Sequence, residues 1–222
     1  MKKQEELKKI AAETAAKEIK EGMVVGLGTG STANYATKYI ADQGLNITGV
    51  PTSVATEKLA NELGIELKFP EDVTRIDILI DGADEVLKTG EMIKGGGGAL
   101  LREKIIASQS DRLLYVMDLS KFVTQLGKFP LPLEVNIFGH EVVLRELSRR
   151  GYNPELRKKD GDIYETENHN YIVDCHMGII EDPTALEAEL NLIPGVVENG
   201  LFISVATELF IAGSNDVRHI KL

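Results

Sequence analysis

The chain of 222 residues holds one cysteine, Cys175. A lone thiol cannot close an internal disulfide, so no covalent staple supports the fold, and a reducing compartment is expected. Cys175 reads as a small buried hydrophobe. Basic residues are scarce as well: 25 Lys+Arg stand against 35 Asp+Glu, the formal charge is −10, and no long basic run occurs. Nucleic acid is therefore not an expected partner, and an anionic ligand has to be caught by local features. No window reaches the length of a membrane span, so no membrane partner is expected. Residues 1–22 lack the apolar core of a signal peptide, and their Leu7, Ile10, Ala11, Ala15 and Ile19 fall at helical spacing instead. A cytoplasmic protein follows. His140, His169, His176 and His219 are scattered without a zinc-ligand rhythm, so no metal centre is expected there. Internal repeats and low-complexity segments are lacking too.

What is present is an alternation. Apolar runs at 23–27, 46–50, 65–69, 75–80 and 112–117 are separated by helix-forming stretches at 33–41 and from Ser53 to Gly64. Strands and helices at this spacing predict an α/β layer with a mainly parallel sheet. Gly127-Lys128-Phe129-Pro130-Leu131-Pro132 is a stiff connection and marks a domain crossing. Beyond it the order changes to β-α-β-β(β)-α-β, with a helix at 141–150 and another started by the Asp182-Pro183 cap. That order predicts a smaller α+β domain of ferredoxin-like type. Segments 205–211 and 217–220 return to the first sheet. The expected division is 1–130 plus 205–222 for the larger domain and 131–204 for the smaller.

Three groups could carry chemistry. Ligands of open α/β sheets bind beyond the carboxyl ends of the strands, where loops and helix N-termini converge. Gly28-Thr29-Gly30-Ser31-Thr32 offers backbone N–H groups and hydroxyls at a helix start and suits a phosphate. It is neither a P-loop nor a dinucleotide fingerprint, because Gly-Lys-Ser/Thr is missing, the glycines run GxGxG, and Gly49-Val50-Pro51 supplies no acid for a ribose. A plain helix cap after a tight turn is the structural alternative. Asp81-Gly82-Ala83-Asp84-Glu85 ends a buried strand with carboxylates three residues apart, which would suit an acid–base pair. A Mg²⁺ site or a simple turn cap would use the same residues.

The third group is Lys94-Gly95-Gly96-Gly97-Gly98 with Glu103. Four glycines cost roughly 0.5–1 kcal/mol each in chain entropy, so close approach of backbone to a ligand is the reason to look for. The helix that follows presents unpartnered N–H groups to an anion. Lys94 could steady an oxyanion, and a shielded Glu103 could take a proton from carbon next to a carbonyl. A surface loop before an ordinary amphipathic helix would look the same. Phosphate anchor, acid–base pair and electrophile together are what an aldose–ketose isomerase of a sugar phosphate needs. A sensing module that binds without reacting and a nicotinamide oxidoreductase are the rivals. The first usually carries a basic DNA-binding segment, which this chain lacks, and the second is weakened by the glycine spacing.

These motifs, with Ser120-Lys121, residues 128–135 from Lys128-Phe129-Pro130 to Val135, and Pro194-Gly195-Val196-Val197 with Gly200-Leu201-Phe202, resemble the type A ribose-5-phosphate isomerases in order and over essentially the whole chain. The resemblance implies a Rossmann-like domain plus a small α+β domain, a reaction without metal or other cofactor, and an oligomer built from dimers. It implies Glu103 as the base, Asp81 with Asp84 for hydroxyl protons and ring opening, and Lys94 for the oxyanion. Thr29, Gly30, Ser31, Thr32, Gly82, Ala83, Gly95, Gly96, Gly97 and Lys121 would hold the phosphosugar.

Overall fold

A computed structural model describes residues 2–214 and 216–222. Met1 and Asn215, which fall inside the expected larger domain, lie outside the described residues. Contacts divide the chain into two compact units. The larger comprises the segment ending at Ala83, Arg102–Phe122 and Ser204–Leu222; the smaller comprises Asp84–Leu101 and Val123–Ile203.

In the larger unit the apolar runs become a seven-stranded sheet. Its order across is Val217–Lys221, Glu208–Ala212, Ser110–Asp118, Ile76–Asp81, Val24–Leu27, Thr48–Pro51 and Glu66–Leu67. All neighbours are parallel except the antiparallel edge pair Glu208–Ala212 with Val217–Lys221. Strands buried on both faces need continuous apolar side chains, which Ile78-Leu79-Ile80 and Leu113-Leu114-Tyr115-Val116-Met117 supply within Ile76–Asp81 and Ser110–Asp118. Val25, Ile78, Ile80, Leu114, Val116 and Phe210 share a core with Ala11, Ala12, Ala15 and Ala16 of the first helix. Alanines on that face let the helix approach the sheet closely. The helix spans Lys2–Ala16, so Ile19 lies beyond it; tighter turns from Glu18 N to Ala15 O and from Ile19 N to Ala16 O carry Ile19 into the core.

The smaller unit contains a four-stranded antiparallel sheet in the order Val196–Asn199, Leu131–Asn136, Asn170–Cys175 and Pro154–Leu156. Numbered along the chain this is 4-1-3-2, with helices His140–Arg149 and Pro183–Asn191 as the two crossovers. The ferredoxin-like order read from the sequence is therefore present. Asp182 caps the second helix through Oδ1, which accepts from Ala185 N at 2.9 Å. Residues 84–101 and 123–130, assigned to the larger domain on sequence, group with this unit. Two-residue strands explain it: Met92–Ile93 pairs with both Glu85–Val86 and Leu201–Phe202. Val123 N donates to Val86 O, and Glu85 accepts from Gly127 N at 2.7 Å and Phe129 N at 2.9 Å. Among the described residues no helix is long and apolar enough to cross a membrane.

Candidate active site

In the larger sheet the chain runs outward from Val24–Leu27 on one side and resumes on its other side with Ile76–Asp81. The carboxyl ends of these two strands are where strand order reverses, the place at which open α/β sheets bind ligands. Gly28 follows one strand and Asp81 ends the other. Gly28 N donates to Ile80 O at 3.0 Å, and Thr29 N donates to Asp81 Oδ1 at 3.2 Å. The same oxygen accepts from Gly82 N at 2.7 Å. Asp81 is fully buried. A buried carboxylate needs such donors, because burial without them would cost several kcal/mol, about the penalty for an uncompensated ion.

The loop around Thr29 is held from behind. Thr29 Oγ1 lies 2.7 Å from Thr52 Oγ1 and 2.8 Å from Ser53 Oγ, while Thr56 Oγ1 donates to Gly28 O at 3.0 Å. Ser53 also caps the helix Val54–Glu62 by accepting from Thr56 N. Sequence reasoning missed this hydroxyl cluster; two hydroxyl residues just before a helix were its only trace. Gly30, at φ +108°, caps the helix Ser31–Asp42, whose first turn carries Ser31 and Thr32. Lys8 was missed as well. It reads as one of several helix-surface lysines, yet its Nζ donates to Ser31 Oγ at 3.1 Å and to Glu5 Oε1 at 2.7 Å, adding a cation beside this helix start.

Glu103 lies in the first turn of the helix Leu100–Ser108 and is 5% exposed. Ile106, one turn on and on the same face, stands 3.1 Å from where a side chain on Gly26 would begin. The Glu103 face of that helix is thus turned toward the strand leading into Gly28. Lys121 closes the short helix Leu119–Lys121 directly after the strand Ser110–Asp118, where Asp118 Oδ1 accepts from Ser120 N at 3.0 Å. Ala83 is the last residue before the chain enters the smaller unit.

The smaller unit holds the remaining residues singled out on sequence. Asp84 Oδ2 accepts from Gly96 N at 2.8 Å. Lys94 is 2% exposed; its N–H donates to Gly200 O at 2.9 Å, and its ammonium lies 5.5 Å from the centre of the Phe202 ring. Gly95 has φ +102° and is buried, whereas Gly96 and Gly97 are exposed. A Cβ on Gly96 would meet Asp84 Oδ1 at 2.8 Å, so a side chain there would have to displace the carboxylate that accepts from Gly96 N. Glu85, the third acid of its motif, is structural: both its oxygens accept backbone N–H groups. Among the described residues no three His, Cys, Asp or Glu side chains gather to hold a metal ion.

Buried carboxylates on a mainly parallel α/β scaffold suit an aldose–ketose isomerase, which moves a proton between neighbouring carbons. The family model for ribose 5-phosphate isomerase A (phosphoriboisomerase A) matches residues 48–216. The chain belongs to that family. A ribose-5-phosphate isomerase A of Listeria innocua is 50% identical over 220 residues, covering 96% of this chain and 98% of that protein. A solved D-ribose-5-phosphate isomerase in complex with phospho-erythronic acid superimposes with TM-score 0.95 at 38% identity over 99% of both chains. The ribose 5 phosphate isomerase A of Neisseria gonorrhoeae does so with TM-score 0.93 at 40% identity, over 98% of this chain and 97% of that one.

Proposed function

We propose that the chain interconverts D-ribose 5-phosphate and D-ribulose 5-phosphate through a cis-enediol, with Glu103 as the base. In the aldose-to-ketose direction Asp81 assists opening of the furanose ring. The Glu103 carboxylate then removes the proton from C2, the C–H electron pair forms the C1=C2 bond, and the carbonyl pair moves onto O1. Lys94 steadies that oxygen until the acid form of Asp81 protonates it, which leaves Asp81 a carboxylate. Asp81, with Asp84 as its neighbour in the chain, takes the proton from O2; the O–H pair forms the C2=O bond, and C1 recovers a proton from Glu103. Every proton removed is returned, so no redox cofactor enters the balance. Thr29, Gly30, Ser31, Thr32, Gly82, Ala83, Gly95, Gly96, Gly97 and Lys121 hold the phosphate and hydroxyls, and Lys8 reinforces the Ser31 end.

The observation that carries this reading is the burial of Glu103 in a helix first turn, 5% exposed, in a chain of this family. A shielded carboxylate is a stronger base than a solvated one and is protected from competing water. The same reading places the protein in the cytoplasm, in the non-oxidative branch of the pentose phosphate pathway, as a homodimer or a dimer of dimers. Turnover of ribose 5-phosphate, followed by appearance of the ketose without added nicotinamide, is the test. Ketose formation supports the assignment, and its absence with a folded preparation refutes it.

A further inference from the structure

The glycine loop of the smaller unit is gripped along its carbonyl edge. Arg157 Nη1 donates to Gly95 O at 2.9 Å and to Gly96 O at 3.1 Å. Tyr164 OH donates to the next carbonyl, Gly97 O, at 3.3 Å. Three successive carbonyls are thus taken by two side chains from one stretch of chain. That stretch is itself tied: Arg157 N donates to Ile172 O at 2.8 Å, and Tyr164 N donates to Arg157 O at 2.9 Å.

The guanidinium is fixed in turn by Asp174. Arg157 Nε donates to Asp174 Oδ2 at 2.8 Å and Nη2 to Asp174 Oδ1 at 2.5 Å, a two-pronged pairing with the side chains 15% and 16% exposed. This geometry leaves Nη1 aimed at the loop. In a trans peptide the C=O and the following N–H point in opposite directions. Holding Gly95 O therefore sends Gly96 N–H the other way, where Asp84 Oδ2 accepts it at 2.8 Å. Holding Gly96 O sends Gly97 N–H away from Arg157 in the same manner. The arginine and its aspartate are charge-neutral as a pair, so they set direction more than they add positive potential.

We infer that Arg157, oriented by Asp174, is a positioning residue for the reaction: it turns the Gly96 and Gly97 amides of the tetraglycine loop toward Asp84 and the phosphosugar. This rests on the proposed isomerase reading. On sequence Arg157 is an unremarked charge in a turn-rich stretch, and no glycine spacing points to it.

Three variants test it. Arg157→Ala removes the clamp, and Asp174→Asn keeps the shape of the partner while releasing the fork. Both are expected to raise KM for ribose 5-phosphate and, with phospho-erythronic acid tested as an inhibitor, to weaken its affinity by about 10-fold or more, as misplacement of binding groups does. Amide hydrogen exchange in the peptide covering Gly95–Gly98 should accelerate in both, while Arg157→Lys, which keeps the charge but not the fork, should fail to restore KM. A role in folding alone would lower the yield of folded enzyme or its melting temperature and leave KM, inhibitor affinity and loop exchange at parental values in the folded fraction; that result overturns the inference. The exchange measurement needs no turnover, so an inactive parent would count against the isomerase reading and a clamp without effect on exchange would count against this one.

Discussion

Gly28 and Asp81 approach so closely that a methyl group on Gly28 would lie 2.4 Å from Asp81 Oδ1 and 2.6 Å from its Cα. Neither atom can yield: one belongs to a carboxylate held by two amides, the other to backbone. Gly28→Ala is expected to cost about 1–3 kcal/mol of stability, as overpacking does, and to lower kcat/KM by about 100-fold through displacement of Asp81. Gly82→Ala is the steric control, since its nearest neighbours stand at 3.9 and 4.0 Å. Thermal melts of both variants check the contrast; equal melting temperatures would contradict it.

Asp81 Oδ1 already accepts two backbone N–H groups. A divalent cation shared by Asp81 and Asp84 would compete with those amides. Turnover should therefore persist in excess EDTA. Loss of activity on chelation, restored by Mg²⁺, would move the two carboxylates from proton transfer to metal binding.

Acid stability is expected to depend on Glu208, a buried residue of the larger sheet. Burial alone would raise its pKa, but hydrogen bonds from Arg112, at 2.8 Å from Nε, and from the His219 ring, at 2.6 Å, outweigh it and hold the carboxyl below its ordinary 4.5. Glu18 Oε2 accepts from the same arginine at 3.1 Å. A depressed folded pKa stabilises the protein fully above the unfolded value. That contribution fades as pH falls below 4.5 and is gone beneath the folded value. Glu208→Gln should melt below the parent at pH 7, with the gap narrowing as pH falls below 4.5. A gap of constant size over that range would contradict the linkage.

The sequence makes the larger sheet legible because long apolar runs ending in Gly or Asp have few other uses. Ile76–Asp81 and Ser110–Asp118 are such runs. Glu85–Val86 and Met92–Ile93 are not: two residues carry no periodicity, and their pairing with Leu201–Phe202 depends on chain more than a hundred residues away. For the same reason the division near residue 130 did not foresee that 84–101 groups with the smaller unit. Residues proposed for the site could be recognised singly by type, as with Gly28, Asp81 and Glu103. Contacts such as Thr29 N to Asp81, or Arg157 to Gly95, arise from strand register and side-chain reach, which no local pattern encodes.

Glu103 is proposed to carry the proton between C1 and C2, and the direct test is ketose formation from ribose 5-phosphate by the parent and by Glu103→Gln, each with substrate affinity measured separately. The amide fills the same volume but cannot accept the proton, so kcat should fall by about 10²–10⁴ while affinity for the phosphosugar stays within a few-fold. Turnover by Glu103→Gln equal to the parent's would contradict the assignment.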